Sequence, residues 1–176
     1  MSAFAPLRRA VIAGVVGTIA MDALWYQRYR ASGGTDSFMG WEFGMPAATF
    51  SEAGAPAQIG EALAARFDVE LPESAARLTN NVVHWASGVG WGIAHSVVRT
   101  MTPLATLASG VAIGATAFGT SYAVLPRMGI YKRLSEYDGE TLWKDLSAHL
   151  VFGAATGATA GVLKALHKAR KALPIP

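Results

Sequence analysis

Four apolar stretches, each long enough to cross a bilayer as a helix, leave this chain few folds to choose from. They cover about residues 7–26, 80–98, 104–125 and 142–163, and a helical span needs about 17–25 residues. None of them alternates apolar and polar residues with period two, and a membrane barrel needs about eight or more such strands. The expectation is therefore an all-α polytopic membrane protein. Composition points the same way. The chain is 52% hydrophobic and only 15% charged, whereas soluble domains carry about 25% charged residues. Disorder, which needs low hydrophobicity and high charge, is excluded. The chain has no cysteine, so disulfides, thiolate metal sites and cysteine nucleophiles are excluded too.

The expected layout is one four-helix domain over residues 1–176, with helices at about 7–30, 74–100, 103–126 and 141–168. Arg8 and Arg9 precede an apolar run that resembles a signal peptide. That run continues into Asp22 and Tyr26 without a clear small-residue cleavage site, so a retained first helix is expected. Pro103 opens the third helix and Pro126 closes it. Only residues 100–103 separate helices two and three, which predicts an antiparallel hairpin. The long connection 31–73 starts with Ser32, Gly33 and Gly34 and holds the aromatic residues Phe38, Trp41, Phe43 and Phe50. Within it, 56–67 reads as a short amphipathic helix, with Ile59, Leu63 and Phe67 on one stripe, lying on the membrane surface or capping the bundle.

Charge placement gives an orientation. Arg8, Arg9, Arg99, Lys164, Lys168, Arg170 and Lys171 fall on one side with no acid among them. The density of basic residues puts that side, and both termini, in the cytoplasm of a bacterial plasma membrane. The same clustering at helix ends suits anionic lipid and not nucleic acid.

Small residues recur every four positions. They are Gly153, Gly157 and Gly161 on the fourth helix, Gly88 and Gly92 on the second, Gly110 and Gly114 on the third, and Ala10, Gly14 and Thr18 on the first. Such GxxxG-type rows let membrane helices pack closely. Extended toward the outer end, each row reaches polar residues. The resulting cluster is Asp22, Asn80, Asn81, His84, Tyr122, Asp145 and His149. Ionisable groups at that depth are costly and face a bundle interior or a water-filled cavity. Three readings stay open: interhelical glue or solvation at the interface, a pocket for protons or a small solute, and metal or haem ligation. His84 and His149 begin helices that run the same way, so they are candidate axial ligands of one haem. A second haem fails, because His95 and His167 differ in depth by about 10 Å. Asp145 and His149, four apart, also suit a metal on one helix face. His95, beside Trp91 and Ser96, reads as an interior histidine hydrogen-bonded to backbone or serine, with a proton relay as the alternative. No GxSxG, HExxH, Walker or dinucleotide motif occurs, and no enzymatic activity is expected.

The stretches RLTNNVVHWASGVGWG (77–92), AGVVGTIAMDALWYQRYR (13–30) and DLSAHLVFG (145–153) carry a resemblance. The chain resembles an actinobacterial family of small four-helix membrane proteins, and more distantly the YagU-type inner-membrane family. The layout covers most of the chain. The closer resemblance implies a fold and no activity; the distant one implies a role in acid tolerance. The leading expectation is a small accessory or self-associating subunit of a membrane complex, as a homo-oligomer or with larger partners. The alternatives are a small transporter or proton-linked channel using the outer polar cluster, and a haem- or metal-binding membrane protein.

Overall fold

The computed structural model describes residues 4–44, 48–102 and 104–172. All regular structure among them is helical. Four long helices, α1 (Phe4–Ala31), α4 (Ala76–Met101), α5 (Thr106–Val124) and α6 (Gly139–Ala172), form the bundle. Two short ones, α2 (Phe38–Phe43) and α3 (Ala55–Ala65), lie in the first long connection. Pro103, expected at the start of the third helix, and Pro174 and Pro176 of the tail lie outside the described residues. Among the described residues, two segments are long and apolar enough to cross a membrane. These are Thr106–Met128, of mean hydropathy 1.3, and Gly139–Ala172, of mean hydropathy 1.4.

Local chemistry sets the boundaries. α1 ends where Gly33 takes a left-handed conformation, φ 96°. The Gly34 N–H then donates to the Tyr29 carbonyl (3.0 Å) and the Gly33 N–H to that of Arg30 (3.1 Å), which closes the helix and reverses the chain. Ser37 caps α2 by accepting from the Gly40 N–H (3.2 Å). α5 runs into a 3-10 turn, Leu125–Met128, that contains Pro126 and ends at Gly129, φ 75°. Ahead of α6, the Asp138 carboxylate accepts from the Thr141 N–H and hydroxyl, both at 2.8 Å. Those bonds hold the Asp138 carboxyl below its ordinary range.

Close glycine crossings join α1 to α4 and α5 to α6. In α1–α4, a Cβ on Gly14 would lie 2.5 Å from the Gly88 carbonyl oxygen, and one on Gly92 would lie 2.6 Å from that of Ala10. In α5–α6, a Cβ on Gly110 would meet the Gly153 carbonyl at 2.3 Å, and one on Gly157 would meet that of Thr106 at 2.6 Å. Backbones this close exclude any side chain at the crossing and gain dispersion and Cα–H···O contact. Gly161 lies beyond this contact, with only the Thr106 side chain nearby, at 3.7 Å. α1 joins the pairs by packing on α6, where Gly17 faces Phe152 and the buried Thr156.

The expected hairpin of helices two and three departs from this arrangement. α4 and α5 follow one another closely in sequence, yet α4 packs mainly on α1, and α5 mainly on α6. The glycine rows select those partners, and α4 and α5 are left with a thin seam. His95 pins it. With the Ser109 hydroxyl donating to the Thr106 carbonyl (2.8 Å), the His95 Nε2–H donates to Ser109 Oγ (3.0 Å). His95 is 1% exposed and Ser109 fully buried.

The short amphipathic helix turns part of its large stripe outward. α3 packs on α4 through its small residues, Ala57 and Gly60. A Cβ on Gly60 would meet Thr79 and Val83 of α4. Leu63 is exposed, and Phe67, beyond the end of α3, is 74% exposed. A close helix crossing favours the small face, which turns the large one outward. Phe50 leaves the other aromatic residues and is buried with Ala53, Ala57 and Ala76.

Candidate functional site

Two histidine–aspartate pairs form at the end of the bundle away from the termini. On α1, Asp22 lies one four-residue step beyond Thr18, in the row that faces α4. It is 3% exposed and accepts from the His84 Nε2–H, with oxygens at 3.0 and 3.2 Å. On α6, the His149 Nδ1–H donates to the Asp145 carbonyl (2.9 Å) and lies 3.1 Å from the Asp145 carboxylate. The first pair ties α1 to α4, and the second stays within one helix.

The chain reversal at Gly33 brings a second acid to the first pair. The Tyr29 hydroxyl bonds the Asp36 carboxylate, and the Tyr26 hydroxyl donates to the Asp36 carbonyl (2.9 Å). Phe38 and Trp41 pack on Tyr26, while Phe43 stacks on Trp85 at 6.4 Å between ring centres. α2 is thereby folded back over the outer ends of α1 and α4, and Glu42 is turned inward and buried. Burial, and then the neighbouring Asp22 charge, push the Glu42 carboxyl above its ordinary range. Asp22, Glu42 and His84 each offer a ligand atom within 4.8 Å of the others. Among the described residues, they are the His, Asp and Glu side chains that converge closely enough to share an ion. They line a cavity of about 820 Å³ together with Asn80, Asn81 and Trp41.

A second cavity, of about 430 Å³, occupies the outer part of the α4–α5 seam. His84, Asp145, His149, Ser121 and Tyr131 line it, and Thr18 reaches it from α1. Tyr122 lies beside it in an aromatic group, its ring 4.7 Å from Phe118 and 5.3 Å from both Tyr131 and Tyr137. Phe118 in turn meets the His149 ring edge-on. In the loop before α6, burial and then the Asp145 charge push the Tyr131 phenol up to about 12. Arg28 closes the α1–α6 side. It donates to the Lys144 carbonyl (2.7 Å) and to Ser147 Oγ (2.8 Å), and its guanidinium lies 4.9 Å from the Trp25 ring centre.

The polar residues singled out in the sequence thus fall into two neighbouring groups. Asp22, Asn80, Asn81 and His84 form one; Tyr122, Asp145 and His149 form the other. His84, Asp145 and His149 share the seam cavity. His84 turns its Nε2 to Asp22, whereas His149 turns its Nδ1 to Asp145. Sequence reasoning missed Glu42, whose one signal is a lone acid in the aromatic hexapeptide FMGWEF. It also missed Tyr131 and Tyr137, which carry no periodic signal. No protein-family model, curated protein or solved structure matches the chain.

Proposed function

We propose that this chain is a four-helix integral protein of the bacterial plasma membrane, both termini cytoplasmic, that receives a small polar or cationic solute in the outer half of its bundle. The observation that carries the reading is the seam cavity, where residues of both histidine–aspartate pairs face one space. Such groups at membrane depth need water, a partner or a ligand, and a cavity between splayed helices provides room for one.

Other features support the membrane placement. Each long helix exposes large apolar side chains: Ile12, Val16 and Ile19 on α1; Val82 and Val97 on α4; Leu107 and Val111 on α5; Val162 and Leu166 on α6. A band of this kind on all sides suits lipid. Asp22, Asn80 and His95, on α1 and α4, are buried away from that band. The glycine rows suggested self-association from sequence. They are occupied within the chain, which shifts the weight from an accessory subunit to a self-contained binding protein. The His95–Ser109 contact and the glycine crossings close the inner half, which favours a site filled from outside over an open pore.

The test uses the absence of native cysteine. Asn81→Cys and Ser121→Cys, which line the two cavities, are expected to react with a membrane-impermeant thiol reagent added outside intact cells. Val111→Cys, facing lipid, should remain unmodified. Labelling of neither cavity position, or labelling only from the cytoplasmic side of inverted vesicles, would overturn the reading.

A further inference from the structure

The seam cavity and the larger cavity beside it share His84, and the groups around that histidine are unusual for a structural ion pair. Asp22 and Glu42 are both buried, and neither forms a salt bridge to Lys or Arg among the described residues. Two carboxylates there share a single imidazole, and a dication entering the cavity would let both be charged without burying net negative charge.

A second observation is independent of the acids. Asn80 is 7% exposed, and its side-chain Oδ1 is buried without a hydrogen-bond partner. It lines the same cavity as the three ionisable residues. An amide oxygen is a hard acceptor that a metal ion or a metal-bound water satisfies directly.

We propose that Asp22, Glu42 and His84, completed by Asn80, bind a first-row divalent transition cation at the outer mouth of the bundle. This rests on the reading of the cavities as a solute-binding region and names the occupant of one of them. Two carboxylates neutralise the dication and the imidazole supplies nitrogen. This mixed nitrogen and oxygen set suits manganese, iron, cobalt or zinc, whereas magnesium and calcium prefer oxygen alone. Neighbouring ligands about 2.1 Å from a common ion lie about 3.0–3.4 Å apart. Atoms now within 4.8 Å of one another therefore need to close by up to about 1–2 Å. α2 can supply that movement, because it carries Glu42 on a short helix tethered through aromatic contacts. On binding, the proton shared by His84 Nε2 and Asp22 is released to water while Nδ1 carries the imidazole's remaining proton, and the Nε2 lone pair turns to the ion. The three residues come from three helices, so the ion would fasten the outer strap to the α1–α4 pair.

Cobalt is the probe, because its ligand-field absorption reports nitrogen and oxygen coordination directly. The full chain, freed of any affinity tag and washed with chelator, is placed in lipid nanodiscs and titrated with Co²⁺. One cobalt per chain with a visible ligand-field band is expected, displaced by Zn²⁺ but not by excess Mg²⁺ or Ca²⁺. Glu42→Gln and Asp22→Asn should each weaken binding about 100-fold or more, with helix content unchanged by circular dichroism. Glu140→Gln, an exposed acid on α6, should bind as the parent does. Glu42→Gln alters only the peripheral α2, so it keeps the test valid if Asp22→Asn fails to fold. Absence of stoichiometric cobalt in a folded sample, displacement by calcium, or undiminished binding in folded Glu42→Gln would each overturn the proposal. If Ser121→Cys is labelled from outside while cobalt does not bind, only the metal assignment falls. If Ser121→Cys and Asn81→Cys stay unlabelled, the solute-binding reading falls whatever cobalt does.

Discussion

At the scale of single residues, the buried polar side chains are held by specific partners, and one has a consequence measurable outside the membrane. Burial pushes Tyr131 up to about 12 from an ordinary value of 10.0. A phenol so raised stays neutral in the fold while the unfolded chain already ionises. Its contribution to stability is complete below pH 10 and is lost as pH rises toward about 12. In a base titration followed by circular dichroism, Tyr131→Phe should therefore move the unfolding midpoint to higher pH. An unchanged midpoint would mean that Tyr131 is hydrated. The residues of the candidate site were unequally visible beforehand. Asp22, Asn80, His84, Asp145 and His149 stand in four-residue rows with the small residues, so helical periodicity alone places them on inward faces. The pairing of Asp22 with His84 was not visible, because it depends on which helices cross. Glu42 was hidden for a different reason. It reaches Asp22 only because Gly33 reverses the chain and Tyr29 holds Asp36, and neither event leaves a periodic trace.

At the scale of helices, glycine decides the pairing. The helix positions were legible in sequence to within a few residues, and the packing order was not. Short connections favour neighbours in sequence, and that rule suggested α4 against α5. The geometry of small faces overrode it, matching α4 to α1 and α5 to α6. The strength of these crossings can be measured within a single helix. On α5, a Cβ at Gly110 would meet backbone at 2.3 Å, whereas nothing lies within 4 Å of one at Gly119. Gly110→Ala should destabilise the fold by about 1–3 kcal/mol through overpacking. Gly119→Ala should leave it unchanged or stabilise it by up to about 1 kcal/mol, since alanine is the better helix former. Thermal unfolding in mild detergent gives both values, and equal effects would mean that α5 and α6 do not cross at Gly110.

At the scale of the whole molecule, the bundle is a ring of helices ordered α4, α1, α6, α5, closed by the weak α4–α5 seam. The cavity follows from that weakness. A protein whose closest glycine crossings, at Gly14, Gly88, Gly92, Gly110, Gly153 and Gly157, are used internally has fewer small faces left with which to form a tight oligomer. Light scattering of the detergent-extracted protein, corrected for bound detergent, should give a protein mass of 18.5 kDa. A stable multiple of that mass, or a co-migrating foreign subunit, would return the weight to an accessory role. In the proposed membrane placement, the exposed Leu63 and Phe67 would touch the lipid interface and do not by themselves imply a second chain.

The union of α1 with α4 also bears on how the protein is made. Asp22 and His84 are separated by 62 positions along the chain. At about 5–20 residues per second, a ribosome takes roughly 3–12 s to deliver the histidine after the aspartate. With α1 in the membrane, as proposed, the nascent first helix would carry a carboxyl group into the bilayer throughout that interval, its eventual partner not yet synthesised. That reading gives biogenesis a vulnerable period, in which quality-control proteases would meet a half-built pair and insertases would have something to shelter.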